Sequence, residues 1–493
     1  MITPISQDNN TTKTSILYMN DFHAKLPNLE RLYTASQAFD SFESSADKLK
    51  LSSGDDALGE DVKINKVVNR LLDMIGIQVR ENGNHEFDVK PTSHAEHSQL
   101  AKHKELGAVN IHLKDTSVLN NVLSTSVVEE RNGHKYGIVG VGPSDMKHRL
   151  KAGVSMDDME VDDIETTIVN LQKEVDKLKA QGLDKIILLS HSGYTNDIRF
   201  AKETSGIDII LGGHSHDLIK DIEAGKNLFT NKDGEPVIIT QAGKDGEHFG
   251  VLNVEFNDKG IITKAQNNVI PTKNFNRTLQ AKYAVEEIIG RPEHIGHIKS
   301  APPAPANRLI ENNPHGNFVV DAMRHGMNTD IALLNSANIR GAFERGKIDS
   351  RMVTEISPFK NNMIVAEINE KELVDAIKWG GTSFNKPGNK PGIMLVSGLK
   401  YTMNKQGELL NMTRITNDGH EIPIDINNPD TNKKYSVAMD DFVGTGGDGF
   451  KSLNKKDVAK EFHKFDKDKL TMDYIKYLGA DVTITDDHRI QIV

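Results

Sequence analysis

Gly83-Asn84-His85-Glu86-Phe87-Asp88 places an asparagine amide, an imidazole and carboxylates within five residues, shortly after the apolar run Ile75-Gly76-Ile77-Gln78-Val79. On its own, Asn-Gly-Asn reads as a turn. His85 and Asp88 are three apart, however, which lets Asp88 hold the imidazole through its second ring nitrogen. Four further polar clusters stand in the first half, several of them directly behind an apolar β-type run: Asn20-Asp21-Phe22-His23, Ser53-Gly54-Asp55-Asp56, Ser190-His191-Ser192-Gly193 and Gly212-Gly213-His214-Ser215-His216. Together they read as one metal site, with Asn84 as a ligand and His85 as a catalytic side chain.

Each cluster carries its own chemistry. Asp21 and His23 follow the strand Thr14–Met19, and residues two apart in a strand face one side, so both can converge on one ion. Asp55 stands at the end of Leu49–Ser52 behind a glycine turn, and a carboxylate can bridge two cations. His191 closes the apolar run Lys185–Leu189, and His214 and His216 follow two glycines that let an ion approach the backbone. Seven oxygen and nitrogen donors exceed the needs of one tetrahedral ion and suit two divalent ions sharing a carboxylate, drawn from Zn, Mn, Co or Mg. His94, His97 and His103 also recur, but HAEHSQLAKH reads as a solvated helix face.

The strands alternate with helical patterns at 62–74 and 161–182, the second with apolar residues at Ile164, Ile168, Leu171, Val175 and Leu178. This predicts an α/β fold with the site at the carboxyl ends of the strands. Tyr136–Val141 is another strand, and Val237–Thr240 with Val251–Val254 reads as a closing β-pair around Gln241-Ala242-Gly243. A chain of 493 residues exceeds what one core usually holds, so two domains are expected. The divisions are 1–275, a linker helix and hinge at 276–305 that includes Ala301-Pro302-Pro303-Ala304-Pro305-Ala306, and 306–493.

Composition removes several classes of function. The absence of cysteine excludes disulfides, thiolate metal sites and a cysteine nucleophile. A net charge of −10 without a basic stripe argues against a nucleic-acid polymer as partner. No stretch approaches the ~18 apolar residues of a membrane span. The polar start, Met1 to Thr14, lacks the apolar core of a signal peptide, so a cytoplasmic location is expected unless a leader was removed. Oligomeric state leaves no trace in the sequence.

In the second half, a helix over Asn317–Met327 and a strand over Ile331–Leu334 lead to Asn335-Ser336-Ala337-Asn338-Ile339-Arg340. Arg340 offers either a fork for a phosphate or an ordinary surface ion pair. Residues 440–450, DDFVGTGGDGF, match G-x-G-x-x-G in form, yet no apolar helix follows, which rejects a dinucleotide fold. Phe442 and Asp448 there suit a base-and-sugar pocket, or equally a core phenylalanine beside a glycine-rich loop.

With both halves laid out, the chain resembles the bacterial 5′-nucleotidase family of two-domain metallophosphoesterases. NDFH, SGDD, GNHEFD, LSHSG and GGHSH occur in the family's order, followed by NSANIR, SPF, VSGL and DFVGTGGDGF. The resemblance implies an N-terminal metallophosphoesterase domain, with sheets flanked by helices, and a C-terminal α/β substrate-binding domain. It assigns Asp21, His23, Asp55 and His216 to one ion. Asp55, Asn84, His191 and His214 hold the second, with His85 beside the phosphate and oriented by Asp88. It also implies that Asn335 and Arg340 grip the substrate, Phe442 stacks on the base and Asp448 binds the ribose. Two departures stand out: NSANIR replaces a glycine-rich NGGGIR, and Ile393 occupies the place of a second base-stacking aromatic. The implied activity is hydrolysis of nucleoside 5′-monophosphates. A 2′,3′-cyclic phosphodiesterase or a nucleotide-sugar pyrophosphatase on the same scaffold is the alternative. A sulfur-ester hydrolase and a non-catalytic binding protein stand further off.

Overall fold

The structure is a computed structural model that describes residues 11–42, 46–150, 156–359, 361–385, 391–455 and 463–493. It divides into two compact units, Met1–Gly290 and Arg291–Val493.

The first unit is built on two sheets packed face to face. One has the strand order Ile262–Pro271, His248–Phe256, Thr12–Met19, Asp47–Ser52, Val79–Glu81, Lys104–Leu106, Leu123–Ser124. The other runs Leu228–Thr230, Pro236–Thr240, Ile209–Gly212, Ile186–Ser190, His134–Val141, Ser126–Arg131. Ile16, Leu49, Leu51 and Val79 from the first sheet meet Ile138, Ile187, Leu189 and Leu211 from the second in one sealed core. The outer face of the second sheet is covered by Ile164–Ala180 and Tyr194–Glu203, whose Ile168, Leu171, Val175 and Phe200 form their own core with it. Helices Leu26–Ser41, Val62–Ile75 and Leu279–Ile289 pack on one another elsewhere in the unit.

The central strands of both sheets are parallel. The near-continuous apolar runs of Ile186–Ser190 and Ile209–Gly212 are those of strands buried on both faces. Parallel register sets all their carboxyl ends at one edge, and the site is built there.

Two expectations are corrected. Val237–Thr240 and Val251–Val254 do not pair: Pro236–Thr240 lies parallel to Ile209–Gly212, whereas His248–Phe256 is antiparallel to Thr12–Met19 in the other sheet. Both strands are apolar enough for either core, and the choice rests on long-range partners. The stretch 91–103 is exposed at Thr92, Glu96, Gln99 and Lys102, but its histidines do not lie on that face. His94, His97 and His103 are buried, with His94 on Glu105 (3.2 Å), His103 on Asp73 (2.9 Å), and Arg80 on Glu105 (2.6 Å). His94 and His103 belong to an internal charge network, while the exposed residues supply the solvated face. The range 276–305 contains a helix, and the two units divide within it. Leu279–Ile289 packs on Val62–Ile75, Tyr33 donates to Gln280, and His294–Ser300 is a strand of the second unit.

The second unit holds a sheet in the order Met394–Ser397, Ile331–Asn335, Lys434–Asp440, Asn362–Asn369, His463–Asp466. Pro314–Met327 packs against it, with Asn313 as N-cap. No described helix is long and apolar enough to cross a membrane.

Candidate metal centre

Five parallel strands each deliver residues at their carboxyl ends. Met19 runs into Asp21 and His23, Ser52 into Asp55, Glu81 into Asn84 and His85, Ser190 into His191, and Gly212 into His214 and His216. The turns are tight enough that Asp21, His23, Asp55, His214 and His216 adopt positive φ. Glycine supplies the space between them. A Cβ on Gly83 would stand 2.2 Å from Asp55 Oδ1, and one on Gly213 would stand 2.8 Å from His191 Nδ1.

The donors converge in three overlapping groups: Asp21, His23 and His216; His23, Asp55 and His85; and Asp55, His191 and His214. Within them, His216 Nε2 is 3.3 Å from Asp21 Oδ1, His191 Nε2 is 3.1 Å from Asp55 Oδ2, and His23 Nε2 is 3.6 Å from the same oxygen. Asp55 is common to two groups, the position a shared carboxylate requires. Asn84 is buried and its Oδ1 has no hydrogen-bond partner. His85 donates its main-chain N–H to Asp55 Oδ1 (2.8 Å), and its Nδ1 meets Asp88 Oδ2 at 2.7 Å. Asp21, His23, Asp55, His85, His191, His214 and His216 all fall in these groups, and Asp88 joins them through His85.

The set fits divalent cations. Asp21 and Asp55 are both buried carboxylates, and an uncompensated buried charge costs on the order of several kcal/mol. His191 Nδ1 is committed to the Ser53 carbonyl at 2.7 Å, which leaves Nε2 as an orphaned nitrogen inside the cluster. Burial alone opposes charge on His191, yet Asp55 and Asp21 push its pKa to about 10. Burial likewise opposes charge on His23, and hydrogen bonds to Asp245 and Asp55 raise it to about 9. Against its own burial, Asp55 is held well below the ordinary carboxylate range, by His191 first. The site demands positive charge: without a cation the two buried carboxylates draw it from the imidazoles of His191 and His23.

Sequence reasoning missed the residues that hold these ligands. Glu86 accepts from the main-chain N–H groups of Asp55 (2.9 Å), Asp56 (2.9 Å), Ala57 (3.0 Å) and Gly83 (2.9 Å). It thereby ties the Asp55 loop to the Asn84 loop. Asp245 meets His23 Nδ1 at 3.1 Å. Asp245 carries no motif and could not have been found from spacing, whereas Glu86 stood inside the opening stretch.

In the second unit, Asn335 donates to Asp448 Oδ2 (2.8 Å), and Trp379 donates to the Asp448 carbonyl (2.9 Å). Phe442 is half-buried against the core in the same glycine-rich loop. Trp379, the chain's one tryptophan, closes against Gly449, where a Cβ would stand 2.6 Å from the ring. Arg340 donates to the Ala337 carbonyl and stacks on Phe359 at 5.4 Å. Ile393 does not line an open pocket: it is 0 % exposed in the core, so it offers no face to a base. Its aliphatic side chain suits the interior, and its main chain ties to Leu309 and Ser336.

Residues 14–218 match the calcineurin-like phosphoesterase profile, and residues 294–455 match the 5′-nucleotidase C-terminal domain. The chain belongs to the two-domain 5′-nucleotidase family of calcineurin-like phosphoesterases. It is a metal-dependent phosphoric ester hydrolase of that type. Among its relatives is the trifunctional nucleotide phosphoesterase protein of Bacillus subtilis, 25% identical over 532 residues, a match that takes in 97% of this chain and 35% of that protein. The chain thus spans about a third of that relative's length. The mouse 5′-nucleotidase is 26% identical over 517 residues, covering 92% of this chain and 86% of its own. In fold, the chain is similar to a 5′-nucleotidase precursor from Thermus thermophilus, with a TM-score of 0.79 and 24% identity over 98% of this chain and 99% of that one.

Proposed function

We propose that this hydrolase cleaves phosphate monoesters and that its substrates are nucleoside 5′-monophosphates. The observation that carries the reading is the sharing of Asp55 between two convergent donor groups, with His85 beside it. Asp21, His23, Asp55 and His216 would hold one divalent cation, and Asp55, Asn84, His191 and His214 the other. Bound there, such cations supply positive charge for a phosphoryl group and lower the pKa of a water. His85 is held at Nδ1 by Asp88, which leaves Nε2 to donate toward a phosphoryl oxygen as charge builds on it. The water oxygen joins phosphorus, the bond to the nucleoside oxygen breaks, and nucleoside leaves as the alcohol. Arg340 would grip phosphate, Phe442 the base, and Asp448 with Asn335 the ribose hydroxyls. The mixed nitrogen and oxygen set accepts Zn, Mn, Co or Mg.

The test is phosphate release from AMP by metal-stripped protein with each of these ions restored in turn. Turnover with one or more supports the reading. Silence with every ion, in protein carrying two bound cations, sinks it. A second reading, a 2′,3′-cyclic nucleotide phosphodiesterase or nucleotide-sugar pyrophosphatase, is favoured by the burial of Ile393, which takes one expected face from the base clamp. Cyclic nucleotides and nucleotide sugars in the same assay separate the two.

A further inference from the structure

The strand Lys434–Asp440 lies in the middle of its sheet in the second unit, between Ile331–Asn335 and Asn362–Asn369. It ends on Asp440, a carboxylate that is 0 % exposed. A buried charge persists only where donors meet it, and here four groups do. Oδ1 accepts from the main-chain N–H of Val443 at 2.9 Å. Oδ2 accepts from Asn338 Nδ2 at 3.1 Å and from Asn361 Nδ2 at 3.0 Å. The ammonium of Lys467, itself buried, stands 3.8 Å from the same oxygen.

These partners come from both sides of Arg340. Asn338 stands two residues before it, and Arg340 Nε donates to the Ala337 carbonyl at 2.9 Å. On the other side, the guanidinium lies 5.4 Å from the centre of the Phe359 ring. The Phe359 carbonyl accepts from Lys467 Nζ at 2.9 Å, and Asn361 follows two residues on. The two sides are also joined directly: the Ser357 hydroxyl donates to Asn338 Oδ1, and the Arg340 N–H donates to the Ile356 carbonyl at 2.8 Å. One oxygen of Asp440 is therefore bonded to both walls between which Arg340 lies.

We propose that Asp440 is a positioning residue for Arg340, setting the guanidinium's aim by holding Asn338 and Asn361 on one oxygen with Lys467 beside them. The inference rests on the reading of Arg340 as the side chain that grips the substrate's phosphate. A buried ion pair adds little net stability once desolvation is counted. What Asp440 and Lys467 contribute is direction, which a guanidinium fork needs in order to meet two phosphate oxygens at once.

The test is steady-state hydrolysis of AMP by full-length protein carrying the divalent cation that gives turnover, well below every variant's thermal midpoint. The variants are Asp440→Asn, Arg340→Ala and the two combined. Asparagine can keep the bond from Val443, but it then turns an NH₂ toward Asn338, Asn361 and Lys467, all of them donors. Asp440→Asn is expected to raise KM about 10-fold and to leave kcat within about twofold, as when binding shared by ground and transition states is lost. Arg340→Ala raises KM at least as far. The double variant matches Arg340→Ala, because a positioning residue then has nothing left to aim. Asn338→Ala, which keeps Asp440 and Lys467, raises KM by a smaller factor, and it decides the matter if Asp440→Asn does not fold.

A wild-type KM in Asp440→Asn beside a raised KM in Arg340→Ala overturns the proposal, even with a lowered thermal midpoint, since Asp440 then only stabilises the fold. A wild-type KM in Asn338→Ala overturns it where Asp440→Asn cannot be made. So do effects on KM that multiply in the double variant. A wild-type KM in Arg340→Ala overturns the reading of Arg340 and the proposal with it. Wild-type protein inert on AMP overturns the monophosphate reading, and takes the proposal with it before any variant is compared.

Discussion

Glu86→Gln is the sharpest perturbation the structure offers. Oε1 of Glu86 accepts from the N–H groups of Asp56 and Ala57, and Oε2 accepts from those of Asp55 and Gly83. Glutamine keeps the shape but has one acceptor oxygen. Whichever way its amide is turned, two main-chain N–H groups face an NH₂ and lose their partner. Each buried donor left unmade costs about 1–3 kcal/mol, so the pair costs about 2–6 kcal/mol. Asp55 sits at φ +51, strained for a residue with a Cβ, and the loosened loop relaxes away from the geometry that aims its carboxylate. Hydrogen–deuterium exchange reads this directly. The amides of residues 55–57 and 83 should exchange at least about 30-fold faster, taking tenfold per 1.4 kcal/mol. Divalent-cation affinity should fall with them. Wild-type exchange at those amides in Glu86→Gln would refute the argument that Glu86 ties the two ligand loops together.

Three further outcomes follow from the geometry. Gly83→Ala drives a Cβ to within 2.2 Å of Asp55 Oδ1, so cation binding should drop by about 100-fold or more, near the upper end for displaced ligands; calorimetry with Mn²⁺ checks it. Phe442→Ala should raise KM for AMP about 10-fold, the worth of one lost ring contact of ~1.4 kcal/mol, and leave kcat within about twofold, whereas a fall in kcat alone would place Phe442 in the core rather than on the base. Burial pushes Asp197 up to about 8, against its hydrogen bond from Ser190. Folding therefore binds a proton there, and the group's contribution to stability is lost as pH rises from about 4 to about 8, then levels. Asp197→Asn removes that slope, so the variant's unfolding free energy should gain on wild type across that window; a difference constant with pH would refute it.

The ligand set was legible because it is local. Asp21 with His23 and His214 with His216 are two apart, and His85 with Asp88 are three apart, spacings that one turn of chain converts directly into proximity. Apolar runs before each cluster identified the strands, since a parallel strand buried on both faces needs them. The same locality misled for His94 and His103, which look solvated until Glu105 and Asp73 meet them inside the fold. It misled at Ile393 too, whose place in the chain suggested a pocket wall and whose side chain the core absorbed.

The sequence by itself determined that this set of donor residues stands at strand ends, because residue type and period-two spacing are properties of the chain alone. Only the tertiary structure decided which strands share a sheet, as with Pro236–Thr240 and His248–Phe256, because pairing depends on partners outside each strand's own neighbourhood, as Thr12–Met19 is for His248–Phe256. It alone disclosed Asp245 against His23, 222 residues apart, since a single carboxylate acquires its role from what packing sets beside it.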